Sequence, residues 1–117
     1  MTSTQQAVID LPSPLPLAAR ILLGWFSRLK RGRMEGQMPG GEPFLIQGSE
    51  AGPTGVMRLH RPGRMVARIA TRGSVGFAES YMAGEWSSPD TAHLLELMLR
   101  NEDAFQRRME PSWLHRL

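Results

Sequence analysis

Residues 73–90 constrain the fold of this 117-residue chain more than any other segment. Gly73 and Gly76 open the segment, and Gly84 closes a short, partly apolar stretch. Glycine tolerates the left-handed backbone conformation that ends many helices. The spacing therefore predicts one helix that stops at Gly73 and a second, short helix that stops before Gly84, where we expect a positive φ.

The rest of the chain separates into helical and extended stretches. Apolar residues at helical spacing predict helices, and short alternating runs between Gly/Pro clusters predict strands. Ser88, Pro89 and Asp90 are typical of a helix start, with Ser88 as the N-cap. We predict a flexible lead-in over 1–13, a helix over 17–29 that Gly32 ends, strands over 33–38, 42–47 and 54–60, helices over 64–71, 75–82 and 88–100, and a last helix over 101–109 before Pro111. This order predicts an α+β fold in which helices cover a small antiparallel sheet. The length predicts a single domain over 14–117.

Composition excludes several kinds of catalytic chemistry. The chain has no cysteine, which excludes disulfides, thiolate zinc sites and cysteine nucleophiles. His93 and Glu96 fall on one helical face, but a di-iron bundle needs that pairing twice. We therefore predict no catalytic, cofactor-binding or metal-binding residue in this chain. No secretory signal and no apolar run of membrane-spanning length are visible.

The net charge of +3 divides unevenly along the chain. Residues 1–72 carry ten Lys/Arg and four Asp/Glu, whereas residues 73–117 carry four and seven. The basic part favours an anionic partner, and a solvated helix face is the alternative interpretation. A nucleic-acid partner is disfavoured because no recognised motif or aromatic platform accompanies the charge. The candidate anion- or lipid-facing residues are Arg58, His60, Arg61, Arg64 and Arg68.

A family resemblance rests on nine positions: Gly73, Gly76, Phe77, Glu79, Tyr81, Met82, Gly84, Trp86 and Asp90. With this spacing the segment resembles one that precedes the catalytic domain in cyclopropane-fatty-acyl-phospholipid synthases and related methyltransferases. The resemblance implies a non-catalytic N-terminal accessory domain. The family's S-adenosylmethionine would belong to the catalytic domain, which has no counterpart in this chain.

The resemblance also implies partners and a location. We expect an anionic phospholipid membrane and a catalytic methyltransferase domain or subunit as partners, with homodimerisation left open. The expected location is cytoplasmic, peripheral to the inner membrane. By fold-level analogy the strands and helices are also similar to a sterol carrier protein-like fold. Two functions stay open at this point: a domain that engages lipid or membrane, and a structural domain for docking a catalytic subunit or for dimerisation.

The residues expected to form the motif or an interface are Gly76, Phe77, Glu79, Tyr81, Gly84 and Trp86. Phe77 and Tyr81 are four residues apart, as are Ala78 and Met82, and we predict that both pairs make core contacts. Trp86 and Tyr81 carry polar groups that need partners when buried. Glu79 has two interpretations: a carboxylate at a domain contact, or an internal ion pair with Arg68 or Arg72.

Overall fold

The computed structural model describes residues 8–10 and 16–109, and the side chains of residues 16–105. Apart from Val8–Asp10, the predicted lead-in over 1–13 lies outside the described residues, as does Pro111. The elements in chain order are β1 (Val8–Asp10), α1 (Leu17–Phe26), β2 (Arg31–Gln37), β3 (Pro43–Gln47), β4 (Glu50–Leu59), α2 (Pro62–Met82), β5 (Trp86–Ser87), α3 (Thr91–Arg100) and α4 (Glu102–Met109). This order confirms the α+β class.

The five strands found among the described residues form one sheet in the order β1-β3-β2-β4-β5. β3 is antiparallel to both β1 and β2, and β5 is antiparallel to β4. β2 and β4, however, run parallel, with Glu35 opposite Val56 and Gln37 opposite Arg58. The sheet is therefore mixed, and the prediction of a purely antiparallel sheet was wrong in this detail.

Glycines explain how β4 reaches the far side of β2 with so short a connection. After β3 the chain crosses over the start of β2, where the Gly48 amide donates to the Gly32 carbonyl at 2.8 Å. A Cβ on Gly48 would lie 2.4 Å from the carbonyl oxygen of Lys30, and one on Gly32 would lie 2.1 Å from that of Pro53. Gly32 also has φ +89°, which disfavours any other residue. It lies inside β2 rather than ending a helix as predicted, and α1 stops earlier, at Phe26.

The core lies between one face of the sheet and the helices. Side chains alternate along the strands, so that Met34, Ile46 and Met57 point inward and are fully buried. They form a single cluster with buried residues of all four helices, among them Leu22 and Leu94. The opposite face of the sheet, which we call the outer face, carries the alternate residues.

Helix α2 contains the two helices that the glycines predict. The run Pro62–Met82 is bent at Gly73, whose backbone has φ 59° and ψ −133°. Beyond the bend the second half folds back against the first. A Cβ on Gly76 would lie 2.0 Å from the carbonyl oxygen of Arg68. Gly76 is thus required by the close approach of two backbone segments, and Gly73 by its positive φ.

Two polar side chains fix the ends of α3. Asp90 is the N-cap, and its carboxylate accepts from the amide of His93 at 3.2 Å; the prediction that Ser88 caps this helix was wrong. At the other end Asn101 is fully buried. Its side-chain oxygen accepts from the Lys30 and Arg31 amides, and its nitrogen donates to the Arg31 and Leu97 carbonyls, all at 2.9 Å. Asn101 therefore ties the junction of α3 and α4 to the start of β2.

Candidate functional site

Trp86 is the centre of the packing within residues 73–90. It is 2% exposed and stacks on Phe77, with ring centroids 4.8 Å apart and planes 21° from parallel. Its indole Nε1 donates to the Ser80 hydroxyl at 2.8 Å, which satisfies the polar group that burial would otherwise leave unpaired. Tyr81 approaches the same ring at 4.8 Å but stays 43% exposed.

Glu85 is a buried carboxylate that sequence reasoning missed. It is 1% exposed, and both of its carboxylate oxygens accept from Arg68 Nε at 3.0 Å. Its backbone carbonyl accepts from the amides of His60 and Arg61, each at 2.9 Å. Glu85 thus joins the end of β4, the start of α2 and the turn before β5. Only its position beside Gly84 and Trp86 could have drawn attention to it in the sequence.

Glu79 is paired inside the domain, in agreement with the second interpretation of this residue. It lies 3.0 Å from Arg72 Nε and 3.8 Å from Arg68 Nη1. Arg68 therefore faces two carboxylates, those of Glu79 and Glu85, and its charge is balanced within the fold. This sets it apart from the other four candidate anion-facing residues.

The remaining motif positions divide between internal and surface roles. Gly84 has φ 75°, as predicted from its place after the helix. Phe77 is buried, but Met82 is 78% exposed and Ala78 is exposed too, so the predicted core contact between these two was wrong. With Val75 at 54% exposure, they form an apolar strip along the second half of α2.

Four of the candidate basic residues form what we call the basic patch: Arg58, His60, Arg61 and Arg64. Arg58 and His60 lie on the outer face at the end of β4, Arg61 is the N-cap position of α2, and Arg64 lies in its first turn. Within the described part of the chain, the three arginines form no ion pair. His60 Nε2 lies 2.7 Å from the Ser87 hydroxyl. The patch therefore keeps positive charge available to an anionic partner.

A groove of about 350 Å³ opens beside the patch. We call it the outer-face groove; it is lined by Arg33, Glu35, Gly36, Gln37, Pro43, Phe44, Leu45, Val56 and Arg58. Arg33 and Glu35 are paired at 3.0 Å, and the Arg33 Nε–H has no hydrogen-bond partner among the described residues. Arg58 belongs to both the groove and the basic patch.

His93 and Glu96, which share a helical face in the sequence, each have a different partner in the structure. His93 bonds to Asp90, whose carboxylate raises the pKa of the imidazole, while the hydrogen bond from His93 lowers the pKa of Asp90. Glu96 pairs instead with Arg100 at 3.2 Å. Over residues 8–10 and 16–109, no three His, Asp or Glu side chains come together as metal ligands would.

Among the described helices, none has the combination of length and apolar character needed to cross a bilayer.

Comparison with known proteins gives one informative similarity. The chain is 44% identical over 45 residues to the tuberculostearic acid methyltransferase UfaA1 of Mycobacterium tuberculosis. The matched stretch is 38% of this chain but 10% of the relative, so most of that enzyme has no counterpart in the alignment. No protein-family model matches the chain, and no solved structure matches it significantly. The similarity indicates a relationship to a methyltransferase.

Proposed function

We propose that this chain is a non-catalytic accessory domain of a methyltransferase related to the cyclopropane-fatty-acyl-phospholipid synthases, and that it engages anionic lipid surfaces. The similarity to the tuberculostearic acid methyltransferase UfaA1 supports the relationship to a methyltransferase. The nine-position resemblance in residues 73–90 supports the same family. The catalytic domain and its S-adenosylmethionine would come from elsewhere in the same polypeptide or from a separate subunit.

The basic patch supports the lipid part of the proposal. Arg58, Arg61 and Arg64 have no carboxylate partners among the described residues, whereas Arg68 is committed to Glu79 and Glu85. Each cation close to an anionic membrane contributes about 1 kcal/mol of attraction. Three such charges at the junction of β4 and α2 would give a weak, salt-sensitive attachment of the peripheral kind. The cytoplasmic face of the inner membrane is the surface that we propose.

Vesicle co-sedimentation tests this proposal. Binding to vesicles with anionic lipid should exceed binding to neutral vesicles and should fall as salt rises, because counterions screen the surface charge. Arg61→Glu with Arg64→Glu should lower the affinity by about 30-fold or more, since about 2 kcal/mol of attraction is lost. Arg20→Glu with Lys30→Glu is the matched control, with the same change in net charge on other elements. Equal loss in both double variants, or no vesicle binding at all, would overturn the proposal.

A docking role is the second candidate, and the apolar strip of Val75, Ala78 and Met82 favours it. Exposed apolar side chains that line one helix face are typical of contacts with another protein surface. Met82→Lys would then abolish association with a co-expressed methyltransferase subunit while leaving vesicle binding unchanged. If the strip instead joins two copies of this chain, analytical ultracentrifugation of the chain alone should detect a homodimer.

The absence of catalysis is also a proposal with a direct test. We expect the chain alone to transfer no methyl group and to show no heat of binding with S-adenosylmethionine in calorimetry. Stoichiometric binding at micromolar affinity would contradict the assignment as an accessory domain.

A further inference from the structure

Three polar side chains lie side by side across the outer face, on three neighbouring strands. Gln37 of β2 is opposite Arg58 of β4, and Arg58 is opposite Ser87 of β5. Partners in register point to the same face, and neighbouring strands are about 4.8 Å apart. Each of the three groups can donate a hydrogen bond. We call Gln37, Arg58 and Ser87, together with His60, the donor row.

The contact between His60 and Ser87 shapes the end of this row. The two side chains are 2.7 Å apart, from Nε2 to Oγ. A hydroxyl has one proton to donate and lone pairs to accept with. When His60 donates through Nε2–H, the Ser87 proton is free to bond to an incoming oxygen. In that tautomer His60 is a positioning residue for the Ser87 hydroxyl.

The surroundings of the donor row favour an anion. Glu35 on the same face is paired with Arg33, and Glu85, next to β5, is buried against Arg68. Arg61 and Arg64, which follow His60 in the chain at the start of α2, carry two further charges without carboxylate partners among the described residues. Beside Gln37 and Arg58 the outer-face groove offers about 350 Å³, within the range of small-ligand sites.

We propose that the donor row binds the phosphate monoester of a lipid head group and that the outer-face groove takes the polar backbone attached to it. A phosphoryl group has three terminal oxygens pointing in different directions, so it can accept from donors on three strands at once. A carboxylate has two oxygens in one plane and is best met by a single arginine fork. The groove suits a glycerol-like group because Arg33, Glu35 and Gln37 offer both donors and acceptors.

This inference rests on the proposed function for the source of the phosphate, and neutral substitutions separate the two. Gln37→Met and Ser87→Ala remove donors without changing charge, so electrostatic attachment to a membrane should survive them. Gln47→Met is the matched control: Gln47 lies on the same face, on β3, and is opposite Arg33 rather than Arg58. Circular dichroism of each variant establishes that the fold is retained.

The first arm uses the soluble probe glycerol 3-phosphate, followed by NMR on the whole chain. We expect saturable shifts of the amides of Gln37, Arg58, His60 and Ser87. Gln37→Met and Ser87→Ala should each weaken binding by about tenfold, the effect of one hydrogen bond to a charged group, and Gln47→Met should leave it unchanged. Absence of saturable binding, or equal weakening by Gln47→Met, would overturn the site.

The second arm compares vesicles that carry phosphatidic acid with vesicles of equal surface charge that carry phosphatidylglycerol. Tighter binding to phosphatidic acid, lost in Ser87→Ala, supports the inference. Equal binding to both overturns it while leaving the proposed membrane attachment intact. Binding of glycerol 3-phosphate without vesicle binding would overturn the lipid source and the proposed function together.

Discussion

Gly76→Ala is the substitution for which the structure predicts the clearest effect. The added Cβ would lie 2.0 Å from the Arg68 carbonyl oxygen, 2.4 Å from its carbon and 3.0 Å from the Ile69 nitrogen. All three are backbone atoms, so no flexible side chain can move aside, and the two halves of α2 must separate by more than 1 Å to reach ordinary contact near 3.4 Å. Overpacking of this kind costs about 3 kcal/mol. Alanine's better helix propensity returns about 1 kcal/mol. The net loss is about 2 kcal/mol, or roughly 8 °C in Tm for a domain of this size.

Gly24→Ala is the matched control for this prediction. Gly24 lies within α1 and has no atom within 4 Å of an added Cβ. The same chemical change should therefore stabilise the chain by up to about 1 kcal/mol. Urea denaturation monitored by circular dichroism measures both variants. Equal stabilisation by Gly24→Ala and Gly76→Ala would show that the two halves of α2 do not pack at Gly76.

Three further predictions follow from the surroundings of single residues. Gly84→Val should lower stability by about 1–3 kcal/mol because of the positive φ, and Gly84→Asn should cost less in the same thermal melts. Asn101→Ala should cost about 3 kcal/mol in urea denaturation, because it removes four hydrogen bonds and leaves buried backbone groups unpaired. The raised pKa of His93 means that its stabilising contribution is complete below the ordinary value of 6.5 and is lost as pH rises through the folded value. The pKa of Asp90 is lowered, so its pH dependence has the opposite sign. Its contribution to stability is present above pH 3.8, its ordinary pKa, and is lost as pH falls through the folded pKa. The start of α3 should therefore be most stable between about pH 3.8 and pH 6.5. NMR titration of His93 in the wild type and in Asp90→Asn measures how far Asp90 raises the pKa of His93.

Backbone features that depend on neighbouring residues in the chain could be predicted from the sequence. Glycine spacing correctly indicated the break in α2 at Gly73 and the left-handed residue at Gly84. These features depend on residues next to each other in the chain and on the conformations that glycine permits. The α+β class could also be predicted, because it follows from the order of helical and alternating segments along the chain.

The order of strands in the sheet could not be predicted in this way. Inward and outward residues alternate in the same way in parallel and antiparallel strands. The pattern in β4 was therefore compatible with a meander, in which each strand is antiparallel to the one before it. The parallel arrangement of β2 and β4 depends on two close backbone contacts, of Gly48 with Lys30 and of Gly32 with Pro53. These contacts appear only when three strands are assembled.

The buried polar groups escaped prediction because their partners are distant in the sequence. Asn101 bonds to Lys30 and Arg31, about seventy positions earlier, and Glu85 finds Arg68 across a bend. The donor row was hidden for the same reason, since Gln37, Arg58 and Ser87 meet only through strand register.

The segment over residues 73–90 acts mainly within the fold. Gly73 and Gly76 permit the bend, Trp86 packs on Phe77, and Glu79 balances Arg72 and Arg68. Arg68 belongs to the basic half of the chain, but it pairs with the carboxylates of Glu79 and Glu85. Its charge is therefore not available to a partner. These contacts hold α2 against β4 and β5 in this chain. The proposed binding surfaces lie on residues that this packing leaves free: Arg58, Arg61 and Arg64 at the junction of β4 and α2, and Gln37 and Ser87 on the outer face. Substitutions at packed positions such as Gly76 and Gly84 should change stability, whereas substitutions at those five positions should change binding in a chain that remains folded.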